Sequence, residues 1–191
     1  MTSKEKIKNN PLLTMLINVR SSELFWIITF SVLTALSAQL AVPTQPVPFT
    51  VQTMLVLLSG AFLGSHKAAY SQIVYLIAGA IGLPVFAGFS FGFAKLFGPT
   101  GGYLLSFPFA AFLTGYILEK KSNSFLILLS FIAGELLILL SGALYLSIFM
   151  GGNFYNALFS GAIIFSVWDL IKIAAAFSIY KAVSKKYPKL P

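Results

Sequence analysis

Two oppositely charged residues, Asp169 and Lys172, lie three positions apart near the end of the chain, in an otherwise apolar stretch. In a helix, this spacing places both side chains on one face, close enough to pair. The two groups can form an ion pair that neutralises itself. They can also bind a ligand, with the Lys172 ammonium donating to a carboxylate and the Asp169 carboxylate accepting from N–H groups. The two interpretations are compatible, because a pair that closes in the empty protein can open for a ligand.

Two other polar residues, Gln52 and Glu135, also lie within apolar stretches. Gln52 follows the segment PVPFT at residues 46–50, and its amide offers both donors and an acceptor. A buried amide in a membrane must be satisfied by a neighbouring helix or by a ligand. Glu135 can pair with Lys172, line a cavity or face a partner protein, and the sequence gives no basis for choosing among the three.

The composition indicates what surrounds these residues. Of the 191 residues, 58% are apolar and only 9% are charged, whereas a soluble domain carries roughly 25% charged residues. So few charges cannot cover a water-facing surface, which excludes a soluble enzyme. The chain has no Cys, a single His and no nucleotide-binding motif. We therefore expect no metal centre or cofactor, and the energy for any uphill transport must come from an ion gradient or a separate ATPase subunit.

The elements that hold the polar residues are predicted to be membrane-spanning helices, because a hydrocarbon core about 30 Å thick requires roughly 20 apolar residues per helix. Six such runs predict an all-α integral membrane protein, a single bundle of six transmembrane helices over residues 24–42, 48–63, 68–86, 102–118, 125–150 and 158–180. In a continuous sixth helix, Asp169 and Lys172 lie about 17 and 21 Å below the outer end, near the midplane. An ionisable group there costs roughly 2.5–3.5 kcal/mol, so it requires a partner or a function.

The distribution of positive charge predicts the orientation of the bundle. Lys and Arg number 13 against 5 Asp and Glu, a net charge of +8. Eleven basic residues fall on one face: Lys4, Lys6, Lys8, Arg20, Lys67, Lys120, Lys121, Lys181, Lys185, Lys186 and Lys189. Lys95 alone lies on the opposite face. By the positive-inside rule, both termini are cytoplasmic, with residues 1–20 as an N-terminal segment and residues 181–191 as a basic tail. The charge then reflects topology and does not indicate a nucleic-acid partner.

The loop between the third and fourth spans alternates Phe with small residues, GFSFGF at residues 88–93. If this segment is extended, its three Phe side chains lie on one side. Two interpretations stay open. The loop is either a lid whose apolar face closes over a pocket, or an interfacial loop that inserts aromatic rings among the lipid headgroups.

Small residues recur on the first predicted span, at Ser31, Ala35, Ala38 and Ala41. Small side chains let helix backbones approach closely. This face is therefore a candidate docking surface for a partner subunit, and packing inside the bundle is an equally good interpretation.

Several motifs together resemble one known family. They are ALSAQ at residues 35–39, PVPFTVQ at 46–52, GAFLG at 60–64, YL at 75–76, Gly79, GLPVF at 82–86, GPTGGY at 98–103, and Asp169 with Lys172. On these residues the chain resembles the BioY family, the biotin-specific substrate-binding (S) components of energy-coupling factor (ECF) importers. The resemblance covers most of residues 35–105 and one helix near the end.

The resemblance implies a six-helix protein of the cell membrane that captures biotin from the outside with high affinity and is not an enzyme. It implies a transmembrane coupling subunit and two cytoplasmic ATPase subunits as partners. It also implies five substrate-binding residues, Asp169, Lys172, Gln52, Ser90 and Tyr103. Biotin suits such a site, since its carboxylate fits Lys172, its ureido ring has two N–H donors, and its sulfur-containing bicycle suits aromatic walls.

Three alternatives differ from this interpretation. The chain could be an S component for another small vitamin, because pocket identity depends on a few side chains. It could also transport a vitamin by itself, without ATPase partners. A third alternative is a membrane enzyme that uses Asp169 and Glu135 as acid and base, which requires the two carboxyl groups to face the same cavity.

Overall fold

The chain forms a helical bundle with one two-stranded hairpin. The computed structural model describes residues 22–120, 123–187 and 190. The helices are α1 (Glu23–Gln39), α2 (Gln52–Leu63), α3 (Ser65–Ala80), α4 (Phe93–Leu96), α5 (Gly101–Lys120), α6 (Ser124–Phe149), α7 (Phe154–Gly161) and α8 (Ser166–Ser184). Strands β1 (Ala41–Val42) and β2 (Phe49–Thr50) pair in antiparallel fashion, with Ala41 opposite Thr50. Short 3₁₀ turns cover Ala87–Phe89 and Ile163–Phe165.

Within the described part of the chain, three helical segments are long and apolar enough to cross a membrane: Gly101–Lys120, Ser124–Phe149 and Phe154–Ser184. Helices α1 and α2 are apolar but shorter, with 17 and 12 residues. The helical class is thereby confirmed, whereas the six-span count and the cytoplasmic termini stay predictions. Several basic residues behind the orientation lie outside the described residues, namely Lys4, Lys6, Lys8, Arg20, Lys121 and Lys189.

Helix α5 anchors the turn between α2 and α3. Helix α2 ends at Gly64, where φ is +78°. A Cβ atom on Gly115 would lie only 2.5 Å from the carbonyl carbon of Gly64, so the α5 backbone contacts the turn directly. The Glu119 carboxylate also accepts hydrogen bonds from the Ser65 amide at 2.7 Å and the Ser65 hydroxyl at 3.0 Å. The Glu119 carboxylate therefore caps the N-terminal end of α3. Helix α5 contacts α2, α3, α4 and α6, so it lies at the centre of the bundle.

The sixth predicted span is not one continuous helix. Helix α7 ends at Gly161, Ala162 has φ −137° and ψ −56°, and α8 begins only at Ser166. The Gly161 carbonyl accepts from the Tyr103 hydroxyl at 2.8 Å, while the Phe165 amide donates to Ala162 instead. The Tyr103 side chain from α5 thus donates to the Gly161 carbonyl, which in a continuous helix would accept from the Phe165 amide. This hydrogen bond interrupts the helix. The depths derived from a continuous helix therefore do not hold.

Three of the four small residues of the first predicted span, Ser31, Ala35 and Ala38, lie on one face of α1, whereas Ala41 lies beyond the helix. Helix α1 ends at Gln39, so Ala41 belongs to strand β1. Ser31 and Ala38 are buried, with 6% and 0% of their surface exposed. Because α1 contacts α2 and α3, burial of these residues supports packing inside the bundle. Ala35 is half-buried, and the exposed side of α1 carries large apolar residues such as Leu36.

The Phe-rich loop is not extended. Residues Ala87–Phe89 form a 3₁₀ turn in which Gly88 and Phe89 have φ values of +68° and +55°, and Phe93 begins α4. The alternation that would place three rings on one side is therefore broken. Phe89, Phe91 and Phe93 are all exposed, so in this conformation they do not form the apolar face of a closed lid.

Candidate functional site

The polar residues of the apolar stretches meet at a cavity between β2, α2, α5, α6 and α8. The polar and charged residues that line it are Thr50, Gln52, Thr53, Lys95, Thr100, Tyr103, Glu135, Asp169 and Lys172. Its remaining wall is mostly aromatic and aliphatic, with Phe49, Phe86, Phe107 and Phe165 as the large members. This combination of apolar walls and a few converging polar groups is typical of a site for a small organic ligand.

Lys172 is the centre of the site. Its ammonium lies 2.7 Å from Asp169 Oδ1, 2.6 Å from the Thr53 hydroxyl and 3.4 Å from Glu135 Oε1. The carbonyl oxygen of Thr50 lies at 3.5 Å. The predicted pairing of Lys172 with Asp169 is confirmed. Four acceptors surround three N–H donors, so the Lys172 ammonium is fully used and its two longer contacts are the weaker ones.

Each carboxylate at Lys172 keeps one oxygen that makes no hydrogen bond. Among the described residues, Asp169 Oδ2 and Glu135 Oε2 are buried polar atoms without a partner. The side chains of Asp169 and Glu135 are only 6% and 3% exposed. A buried acceptor without a partner is costly and calls for an explanation. Both oxygens are available to accept hydrogen bonds from a ligand that enters the cavity.

Glu135 is the residue whose role the sequence left open. The structure brings it to Lys172 and to the cavity wall, which satisfies two of the three possibilities named above. It comes from the middle of α6, whereas Asp169 lies in the first turn of α8. The N-terminal end of a helix favours a negative charge, so the two carboxylates differ in how well their backbone surroundings support ionisation.

The hairpin and the start of α2 each supply one contact that sequence reasoning missed. Strand β2 places Phe49 against the cavity, with its ring centroid 5.1 Å from the Lys172 ammonium. The same ring lies 5.8 Å from the Phe165 ring and 5.5 Å from the Trp168 ring. Thr53, the second residue of α2, accepts a hydrogen bond from the Lys172 ammonium at 2.6 Å. The PVPFT segment pointed to this place in the chain, but nothing in the sequence shows that it faces the Asp169–Lys172 pair.

Gln52 links the cavity to the loop that follows α3. Its amide nitrogen donates to the Tyr75 hydroxyl at 2.6 Å, and its amide oxygen accepts from the Thr50 hydroxyl at 3.1 Å. The Tyr75 hydroxyl in turn donates to the Val85 carbonyl at 3.4 Å. Gln52 therefore lines the cavity, and its amide is largely satisfied by neighbouring elements, so its role in substrate binding stays a prediction.

Of the remaining two predicted site residues, Tyr103 lies in the cavity wall and Ser90 does not. Tyr103 lines the cavity, and its hydroxyl is bonded to Gly161 as described above. Ser90 is half-buried and its hydroxyl donates to the Ala87 carbonyl at 2.8 Å; it is not part of the cavity wall. A role for Ser90 in binding would require the loop to rearrange.

A wider groove lies outside the cavity, between the hairpin connection and the loop that contains α4. Four residues line both spaces: Pro48, Ala87, Lys95 and Thr100. The inner cavity has a volume of about 70 Å³, whereas ligand pockets measure roughly 300–1,000 Å³. The groove and the cavity are thus continuous, Lys95 lies where they meet, and a ligand of that size requires the cavity walls to move apart.

In comparisons with known proteins, the resemblance to the BioY family extends over most of the chain. The sequence model of the BioY family matches residues 8–189. "Probable biotin transporter BioY" of Pyrococcus horikoshii is 39% identical over 84% of this chain and 95% of its own length. "Biotin transporter BioY" of Thermotoga maritima is 37% identical over 82% of this chain and 92% of its own.

A solved structure also matches this fold. It is described as the S-component for biotin from an ECF-type ABC transporter, and it superposes with a TM-score of 0.80 at 27% sequence identity. The match covers 97% of this chain and 95% of the other. With the family match over nearly the full length and relatives above 30% identity, the chain belongs to the BioY family.

Proposed function

We propose that this chain captures biotin from outside the cell and is the substrate-specific subunit of an ECF-type importer in the cell membrane. The named relatives and the solved biotin S-component support this function. So does the orientation expected from the basic residues, which places the groove on the outer side. A transmembrane coupling subunit and two ATPase subunits would supply the energy for import.

One observation in the site carries the proposal: its hydrogen-bonding groups complement a ureido ring. Biotin presents two N–H donors and one carbonyl oxygen at that ring. The inner end of the cavity presents two buried acceptors without partners, Asp169 Oδ2 and Glu135 Oε2. Beside them lies the Lys172 ammonium, whose longer contacts to Glu135 and to the Thr50 carbonyl would give way to the carbonyl oxygen of the ligand. Filling both acceptors removes an existing cost, which favours a ligand with paired N–H groups over one without them.

The carboxylate of biotin then lies at the other end of the site. The ureido ring and the carboxylate are at opposite ends of the molecule, and Lys172 and Asp169 are only 2.7 Å apart. A closed pair cannot hold both ends. The biotin carboxylate would also meet the two carboxylates already at Lys172, those of Asp169 and Glu135. Lys95, at the mouth of the cavity, is the better partner for the carboxylate, which changes the role that the sequence suggested for Lys172.

Isothermal titration calorimetry on the purified chain in detergent tests the proposed function. We expect strong binding of biotin and of desthiobiotin, which keeps the ureido ring, and no measurable binding of thiamin or riboflavin. Binding of one of these other vitamins in place of biotin would identify the chain as an S component for that vitamin. Absence of binding by all four ligands would contradict the proposal.

Substitution of Lys95 should weaken the binding of biotin and leave the binding of its neutral analogue unchanged. Lys95 is half-buried, so an ion pair there contributes about 1 kcal/mol or less, or up to about fivefold in affinity. We expect Lys95→Gln to weaken biotin by this factor, with the difference shrinking at high salt. Biotin amide, which lacks the carboxylate charge, serves as the matched ligand. An equal loss for both ligands would place the carboxylate elsewhere.

A further inference from the structure

Glu135 leaves the inner end of the cavity with an excess of negative charge. One ammonium, Lys172, faces two carboxylates, Asp169 and Glu135. The other described groups packed around Glu135 cannot balance this charge. Helix α2 contributes the neutral Thr53, α5 contributes the phenol of Tyr103, and α4 contributes Lys95 at the far, outer end. With both carboxylates ionised, the inner end carries a net charge of about −1 in an apolar surrounding.

Ligand binding makes this charge harder to keep. A bound biotin fills the cavity and keeps water out of it, and its own carboxylate takes Lys95 as a counter-ion under the proposed function. The inner cluster must then hold its excess negative charge without water. The neutral N–H groups of the ureido ring bring no positive charge to offset this excess. Two neighbouring carboxylates resist simultaneous ionisation, so the excess charge is removed most cheaply by a proton.

Geometry decides which carboxylate takes the proton. Asp169 lies 2.7 Å from the Lys172 ammonium and in the first turn of α8, where the helix end favours an anion. Glu135 lies 3.4 Å from the same ammonium and in the middle of α6, where no helix end supports a charge. Glu135 is therefore the more weakly stabilised anion of the two.

We infer that Glu135 is a proton-binding site and that it carries a proton in the biotin complex, so that capture of biotin is linked to proton uptake. The proton comes from water, and no bond other than O–H forms. A protonated Glu135 still has a carbonyl oxygen that can accept from the ureido ring. Its O–H group can donate to Asp169 Oδ2, whose second lone pair stays available for the other ureido N–H group.

The inference rests on the proposed function, and it has two readouts. The first is calorimetric titration of biotin in buffers of different protonation enthalpy between about pH 6 and pH 9. We expect wild-type protein to take up a proton, with uptake approaching one per biotin at the high end. Affinity should then fall by up to about tenfold per pH unit. The second readout is the infrared band of a protonated carboxyl group, which should appear in the biotin complex.

Two variants locate the proton. Glu135→Gln imitates the protonated acid in shape and charge, so it should bind biotin without proton uptake, without the infrared band and with the steep pH dependence removed. Glu23→Gln is the matched control, because Glu23 is a surface residue paired with Lys67; it should behave as wild type. A band that persists in Glu135→Gln would place the proton on another group and overturn the inference.

Wild-type measurements alone can also overturn the inference, even if the Glu135→Gln variant does not fold. Biotin binding with no proton uptake at any pH in the range would contradict the proton-binding role and leave the proposed function intact. Absence of biotin binding would contradict the proposed function itself. The two failures are therefore distinguishable in one set of titrations.

Discussion

Replacing Lys172 by methionine should weaken biotin and biotin amide by the same factor, about 10- to 150-fold. Lys172 is 8% exposed, and its ammonium is the donor closest to the two carboxylates of the inner cavity. Loss of a charged hydrogen bond costs about 1.5–3 kcal/mol, which corresponds to that range of affinity. Methionine keeps most of the side-chain volume, so the loss reports on the ammonium rather than on packing. Calorimetry with both ligands measures it.

The comparison of the two lysines locates each end of the ligand. If the ureido ring binds at Lys172, the methionine variant affects both ligands equally, and Lys95→Gln affects biotin alone. If the carboxylate binds at Lys172, as the sequence suggested, the pattern is reversed: Lys172→Met costs biotin much more than biotin amide. That reversed pattern would contradict the orientation proposed here, and it would leave biotin as the substrate.

Substitution of Lys172 should also lower stability, because it leaves Asp169 and Glu135 buried without their counter-ion. Removal of one partner from a buried ion pair costs about 3–5 kcal/mol where the remaining charge cannot adapt. Thermal unfolding of the empty protein therefore belongs beside the titrations. It separates a variant that binds weakly from one that is partly unfolded.

The sequence contained enough information for the local part of the site. The spacing of Asp169 and Lys172 predicts one helix face, and they do pair. The position of Gln52 after the PVPFT segment likewise predicts a polar group near a helix start, and α2 begins at Gln52. Both inferences need only helix geometry and short-range order, which a single sequence records directly.

Contacts between elements that lie far apart in the chain could not be predicted from the sequence. Glu135 is 37 positions from Lys172, and Thr53 is 119 positions away, so no local spacing brings them together. The break between α7 and α8 has the same origin, because it depends on a hydroxyl from α5. An apolar run that reads as one continuous helix over residues 158–180 gives no sign of that hydroxyl. The prediction for the Phe-rich loop was wrong for a different reason. Its alternation of residues predicts an extended segment, and the positive φ values of Gly88 and Phe89 prevent that conformation.

The placement of Asp169 depends on a chain of contacts that begins at Gly142 in α6. A Cβ atom on Gly142 would lie 2.2 Å from two ring carbons of Tyr103. The Tyr103 ring therefore packs directly against the α6 backbone, and its hydroxyl reaches the Gly161 carbonyl at the break. That break sets where α8 begins, and hence puts Asp169 in the first turn of α8.

Gly142→Ala should consequently reduce stability and biotin affinity together. The added methyl group forces the Tyr103 ring to move, and overpacking of this kind costs about 1–3 kcal/mol. In an unhindered helix the same change would stabilise by about 1 kcal/mol, because alanine favours helix more than glycine does. Thermal unfolding and calorimetric titration of biotin measure the two effects.

A double-mutant cycle with Tyr103 shows whether Gly142→Ala acts through the Tyr103 ring or through a general defect of α6. Tyr103→Phe removes only the hydroxyl, and we expect a loss of about 0.5–1.5 kcal/mol from the bond to Gly161. In a Tyr103→Ala background, the added methyl group on Gly142 meets no ring, so Gly142→Ala should become neutral or stabilising. If Gly142→Ala remained equally destabilising without the Tyr103 ring, the contact between α5 and α6 would not be what positions Asp169, and the interruption before α8 would require another cause.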